Sequence, residues 1–201
     1  MKNSRIIFLL IILVILVLTF GLKFSGRSQS VIIKQIFATP TPTPFPDKTI
    51  TMDSGDGKVA LTQTIKTQVG GNTNNLFTVT DKSNNNQTSL YEKTESYPNT
   101  LTIPANSWSS DNKQLFLIEK GTETHYYVFK ADNTNYSGDQ KFLDIGSYWA
   151  KSKINYTIRN VTGWASGDLL YIYTSKADGS NGPQYWFVVS SRKFLQLRPG
   201  P

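Results

Sequence analysis

The 201-residue sequence contains no cysteine. That excludes disulfides, thiol nucleophiles, iron–sulfur clusters and thiolate zinc sites. It also excludes a lipoprotein anchor built on an acylated cysteine. Histidine occurs once, at His125, so a multi-histidine metal centre has too few members and any serine triad would rest on that one residue. No Gly-x-Ser-x-Gly elbow accompanies it, and no phosphate-binding glycine loop leads into a helix. The stretch Asp53-Ser54-Gly55-Asp56-Gly57 has part of a calcium loop but lacks its further ligands and its terminal glutamate. No catalytic or metal residue is expected, and no cofactor.

Charge is also sparse, at 17% of residues, and its excess is local. The net charge is +7, yet Lys2, Arg5, Lys23, Arg27 and Lys34 supply five of those charges around one apolar segment. From Asp47 onward, 16 basic residues face 14 acidic ones. The basic balance therefore belongs to membrane flanks and not to a groove that reads phosphates. No nucleic-acid partner is expected.

The one long hydrophobic run is Ile6–Leu22, 17 residues without a charge. That is near the lower end of the roughly 17–25 needed to cross a bilayer, and it has no polar face to suit a soluble core helix. The rival is a cleaved signal peptide. The run is long for its apolar region of about 7–15 residues, and charge stands where the small-residue cleavage site belongs. An uncleaved single-pass anchor in the cell membrane is expected, with the lipid bilayer as partner of residues 6–22. Its short amino-terminal tail is placed inside and the carboxy-terminal domain outside the cytoplasm. Lys23, Arg27 and Lys34 pull against that orientation. Thr39–Pro46 reads TPTPTPFP, whose four prolines favour polyproline II, a semi-rigid spacer of about 25 Å. The expected organisation is a cytoplasmic tail over 1–5, a transmembrane helix over 6–22, a linker over 23–47 with its stalk at 39–46, and a β domain over 48–201.

Within that domain three segments begin alike: Thr49-Ile50-Thr51-Met52, Thr100-Leu101-Thr102-Ile103 and Asn155-Tyr156-Thr157-Ile158. They lie 51 and 55 residues apart. Each sets two apolar residues two positions apart, the strand period. Each is followed by a polar turn: Ser54 to Lys58, Trp108 to Lys113, and Trp164 to Asp168. Asp, Asn and Gly there supply the left-handed backbone a tight hairpin needs. An apolar strand, an aromatic strand and a short closing strand follow each time. The aromatic strands are Leu76–Val79, Tyr126–Phe129 and Tyr185–Val189. The spacing predicts about twelve strands in three four-stranded antiparallel units, at about 49–97, 98–150 and 151–197. The predicted class is all-β, with no sustained helical period in the domain.

Trp108-Ser109-Ser110-Asp111-Asn112-Lys113 before Leu115-Phe116-Leu117-Ile118, followed by Tyr127-Val128-Phe129-Lys130-Ala131-Asp132, resembles a TolB-type β-propeller repeat. Trp164 and Tyr171–Gly179 look similar, and Asp56-Gly57-Lys58 keeps the turn without the tryptophan. The resemblance spans about 150 residues and is shared with propellers of prolyl and dipeptidyl peptidases. It implies four-stranded blades, several around a channel, and protein or peptide contacts. Three units fall short of the usual 4–8 blades. A fragment, an open three-blade stack and a repacked β-sandwich all stay open.

Asp111, Asp132, Asp168 and Asp178 fall in turns, where Asp bonds its own backbone; as a glycosidase pair they form the runner-up, enzymatic reading. Trp108 and Trp164 recur at matching positions, which points to packing. Trp149 falls between units and, with Tyr148, is the candidate ligand contact. The functional expectation is a non-enzymatic binding or scaffolding module. It would contact a protein or envelope polymer, and would self-associate through open blade edges.

Overall fold

The computed structural model describes residues 46–68 and 70–198. The expected membrane helix at 6–22 and the stalk before Pro46 lie outside the described residues. Among the described residues no helix is long and apolar enough to cross a membrane.

Twelve strands form where the alternation and the turn residues place them. The first sheet runs β1 (Lys48–Asp53), β2 (Val59–Thr67), β3 (Thr73–Asp81), β4 (Asn86–Glu95). The second runs β5 (Thr100–Thr102), β6 (Gln114–Lys120), β7 (Thr124–Lys130), β8 (Phe142–Asp144). The third runs β9 (Thr157–Ser166), β10 (Leu169–Ser175), β11 (Asn181–Val188), β12 (Lys193–Gln196). Each is a four-stranded antiparallel meander with neighbours in chain order. Sequence reading missed one element, the helix α1 (Ile145–Lys151) between the second and third sheets. Its seven residues are too few to show a helical period. Its one local signal is Asp144 as N-cap, whose carboxylate accepts from the Gly146 amide at 3.0 Å.

The second sheet is buried on both faces. Along β6, Leu115 and Leu117 pack with Leu61, Phe77 and Val79 of the first sheet. The intervening Phe116 packs with Leu170, Ile172 and Phe187 of the third. Along β7, Tyr127 and Phe129 join the first of these cores while Tyr126 and Val128 join the second. A strand buried on both sides reads as a continuous apolar run, and these two do: Leu-Phe-Leu-Ile and Tyr-Tyr-Val-Phe. The outer sheets alternate instead. Leu61, Gln63, Phe77 and Val79 point inward from the first sheet; Thr62, Thr64, Thr78 and Thr80 point away.

The repeat extends to single hydrogen bonds. Ser54 and Ser109 each donate their hydroxyl to the aspartate two residues on, Asp56 and Asp111, both at 2.7 Å. Each hydroxyl also accepts the amide five residues on, Val59 at 3.1 Å and Gln114 at 2.9 Å. Gly57 (φ +70°) and Asn112 (φ +59°) take the left-handed position in the same turn. The third unit departs from this. There β9 continues through Trp164 to Ser166, and only Gly167 and Asp168 turn the chain.

Two tryptophans tie each unit to the one before. Trp108 Nε1 donates to the Met52 carbonyl at 3.3 Å, and Trp164 Nε1 to the Ser107 carbonyl at 2.8 Å. Met52 and Ser107 are equivalent, each two residues before its turn serine. The indoles thus join successive sheets by the same bond.

Candidate functional site

All three sheets point their β1–β2-type and β3–β4-type turns to one end. There the turns enclose a cleft of about 860 Å³. Val59 and Val79 from the first sheet and Val189 from the β11–β12 turn of the third supply apolar wall. Around them stand three carboxylates, Asp81, Asp132 and Asp168, and three cations, Lys113, Lys130 and Arg192. Each sheet contributes one of the carboxylates or carries it in an adjoining turn.

The carboxylates are braced by the turns that carry them. Asp81 Oδ1 accepts the Ser83 hydroxyl at 2.7 Å and amide at 2.9 Å, and these bonds hold its pKa below the ordinary range. Asp132 repeats the motif with Thr134, whose amide and hydroxyl lie 3.0 and 2.8 Å away. Burial works against the Asp132 charge, but those two bonds outweigh it and lower the pKa. In the third unit no aspartate occupies that turn. Asp168 comes across from the β9–β10 turn instead, accepting the Ser190 amide at 2.8 Å and the Ser190 hydroxyl.

Tyr136 closes one side. Its hydroxyl donates to Gln114 Oε1 at 3.0 Å, and the Gln114 amide donates to the Gly167 carbonyl at 2.8 Å. Burial, then the charges of Asp168 and Asp132, push the Tyr136 pKa up, so it stays a neutral donor. Lys130 bonds the Asn135 carbonyl at 2.8 Å and lies 5.2 Å above the Tyr136 ring. The Arg192 guanidinium donates to Ser137 Oγ at 3.1 Å.

Chemically this is a set of fixed charges around an apolar wall. A glycosidase needs one carboxyl kept protonated near neutrality. Asp81 and Asp132 are shifted the other way, as are Asp111 and Asp178 in their own turns. Of the four turn aspartates expected to pair, the structure brings Asp132 and Asp168 to the cleft with Asp81; Asp111 and Asp178 are not among its lining residues. Among the described residues no group of three acidic, histidine or cysteine side chains is placed to hold a metal.

Trp149 and Tyr148 stand elsewhere, both on α1. Trp149 is buried, with Nε1 donating to the Tyr156 carbonyl at 2.8 Å and its ring edge-on to Tyr185 and Phe194 at 5.1 and 4.8 Å. Tyr148 is half-buried against Phe187, and its hydroxyl accepts from Gln140 at 3.0 Å. Neither lines the cleft.

His125 lies at the start of β7, far along the strand from the cleft. It stacks parallel on Tyr127 at 5.9 Å and sits 3.6 Å from Asp144. Beside it is a charged cluster that sequence reasoning did not find. Lys93 Nζ of β4 lies 2.9 Å from Glu95 and 2.6 Å from Glu119 of β6, both nearly buried. The Tyr127 hydroxyl also donates to Glu119, at 2.7 Å. Burial disfavours the Glu119 charge, but Lys93 and Tyr127 outweigh it and hold its pKa low. Burial likewise opposes the Lys93 charge, and the two glutamates outweigh it and raise its pKa. The cluster joins the first sheet to the second and opens into no cleft described above.

Compared with family models, with curated proteins and with solved structures, the chain matches none.

Proposed function

We propose that this protein is a membrane-anchored binding module, displayed outside the cytoplasm, that holds a segment of a protein or envelope polymer in the turn-end cleft. One observation carries the reading. The chain enters β1 at Lys48, whose partner is Ile65, at the end of the sheet opposite the Ser54–Lys58 turn. The cleft therefore lies at the end of the domain opposite Lys48, where the chain enters β1. The mixed charges suit a ligand carrying both signs, and the valines give it apolar contact.

In this proposal the three sheets are blades of a TolB-type propeller and not a repacked sandwich. The matching serine–aspartate turns of the first two units and the matching indole bonds support this, since a repeat that preserves single hydrogen bonds preserves the packing of one unit on the next.

The test uses the full chain in native membranes. Protease added to intact cells should remove the domain after residue 46, whereas protection would contradict the placement. Envelope protein and polysaccharide fractions are then passed over the reconstituted chain. Lys113→Glu, at an exposed lysine of the cleft rim, should cut capture about tenfold, near 1.4 kcal/mol. Equal capture by both chains would show that the cleft is not the recognition surface.

A further inference from the structure

The sheet-to-sheet packing has a direction, and it does not stop at the third sheet. The positions of β2 and β3 that face the next sheet in the chain (Leu61, Phe77, Val79) are covered by the second sheet. The equivalent positions of β6 and β7 (Phe116, Tyr126, Val128) are covered by the third. The next in the series are Leu169, Tyr171 and Tyr173 on β10 and Trp186 and Val188 on β11. Register puts them on one face: Tyr171 opposite Trp186, Leu169 opposite Val188, and Leu195 of β12 opposite Trp186. A row Leu195–Trp186–Tyr171 therefore crosses three strands, with Trp186 and Tyr171 edge-to-face at 6.1 Å. Tyr173 is 38% and Leu195 50% exposed, and they are two of the three large hydrophobic residues that stand exposed among the described residues.

We propose that this face is the contact between two copies of the chain, third sheet against third sheet, related by a two-fold axis. It is continuous with the interfaces that already join the first sheet to the second and the second to the third, and it uses the same strand positions. The other end of the stack does not offer a matching surface. The first sheet's outer face is threonine, with Thr51 and Thr62 hydroxyls 3.1 Å apart and Thr62 opposite Thr78. The tryptophan that ties each later unit to its predecessor is also missing there, its place being taken by Asp53. That end is finished as a capping repeat with a polar outer face. Head-to-tail joining would set aromatic rings on hydroxyls, whereas pairing like with like covers both apolar rows.

An axis along the strands keeps both Lys48 ends on the same side, as two chains held in one membrane require. It sets Trp186 beside Trp186 and Leu195 against the partner's Tyr171. The face covers roughly 400 Å² per copy, from about 4.8 Å per strand and 3.3 Å per residue. That is about half the 800 Å² of a standard interface, so the pair depends on the concentration that shared anchoring provides. For that concentration and for the direction of the axis, the proposal rests on the membrane reading above.

The sequence has no cysteine, so single-cysteine variants report cleanly. Gln184 is exposed on β11, on this face, in register with Tyr173. In native membranes, full-length Gln184→Cys should give an oxidative, thiol-reversible dimer at roughly fivefold or more the yield of Thr51→Cys on the capped face. Adding Tyr171→Lys to Gln184→Cys should bring the yield down to the Thr51→Cys level. Thermal melts check that all variants fold. Equal yields from Gln184→Cys and Thr51→Cys overturn the proposal. So does a dimer formed only between coexpressed Thr51→Cys and Gln184→Cys chains, the head-to-tail arrangement. Membrane fractionation reads the anchor separately: if the chain is found in the soluble fraction, the same cross-linking at about 100 µM tests the face while the anchor reading fails.

Discussion

The first and third sheets both pack on the second, but they are held by different physics. The third meets it through aromatic and aliphatic side chains: Phe116, Phe187, Ile172 and Tyr185 are buried, and the Trp164 ring lies edge-on to Phe116 at 6.4 Å. The first meets it through a mixed interface. Leu61 and Phe77 are fully buried there, but so is Gln63, whose amide donates to Asn75 at 2.9 Å and to the Leu101 carbonyl at 2.6 Å. The Lys93–Glu95–Glu119 cluster adds charge to the same junction. Apolar contact has no charge to titrate in acid and is indifferent to small chemical changes that keep volume. Buried polar and charged contact holds only while every partner is present. The two ends of one fold should therefore fail under different insults.

The largest effect should come from Phe116→Ala, which empties a fully buried position between the second and third sheets. The expected loss is about 3–5 kcal/mol by chemical denaturation, with faster hydrogen exchange in β9–β12 before β1–β4. Next is Lys93→Met. It leaves two nearly buried glutamates without their cation, at a cost of about 2–4 kcal/mol after allowing for the one-third exposure of the lysine. Exchange should then quicken in β1–β4, and the variant should regain stability as the pH falls and the glutamates take up protons.

Acidity should separate the ends in the unaltered protein too. Glu119 has a lowered pKa in the fold, so its contribution is present above the ordinary carboxylate range and is lost as pH falls through the lowered value. Lys93 has a raised pKa, so its contribution is present below the ordinary lysine range and is lost as pH rises through the raised value. Exchange in β1–β4 should accelerate below about pH 4, while β9–β12 changes less; in alkali the third sheet's junction weakens as well, because burial raises the pKa of Tyr126 and Tyr185 within it. The smallest effect is expected from Trp164→Phe. It removes one bond, to the Ser107 carbonyl, and should cost about 1 kcal/mol with the sheet still docked.

Much of this difference was legible in the residues. The strands were, because alternation and turn chemistry are local: Thr49-Ile50-Thr51-Met52 sets two apolar residues two apart without reference to anything distant, whereas the burial of Gln63 between Thr62 and Thr64 was not legible, since all three residues are polar. The double burial of β6 and β7 shows in their unbroken apolar runs. The helix α1 was not legible, since Ile145–Lys151 makes less than two full turns and Trp149 reads there as a spare aromatic. In the fold its indole is bonded and its ring packed. The cleft was legible only in pieces. Asp132 and Asp168 declare themselves as turn residues, but nothing local says that their turns meet Asp81 and Arg192 at one end. The Lys93 cluster was silent for the same reason, because 26 residues separate Lys93 from Glu119 and only the docking of two sheets brings them together.

The second sheet is the centre of the stack, covered on both faces. Native-state hydrogen exchange of the full chain, resolved by strand, tests this directly. Amides of β6 and β7 should be the slowest in the domain, exchanging only through global unfolding. If β6 and β7 exchange as fast as β1 and β12, the sheets do not stack as described.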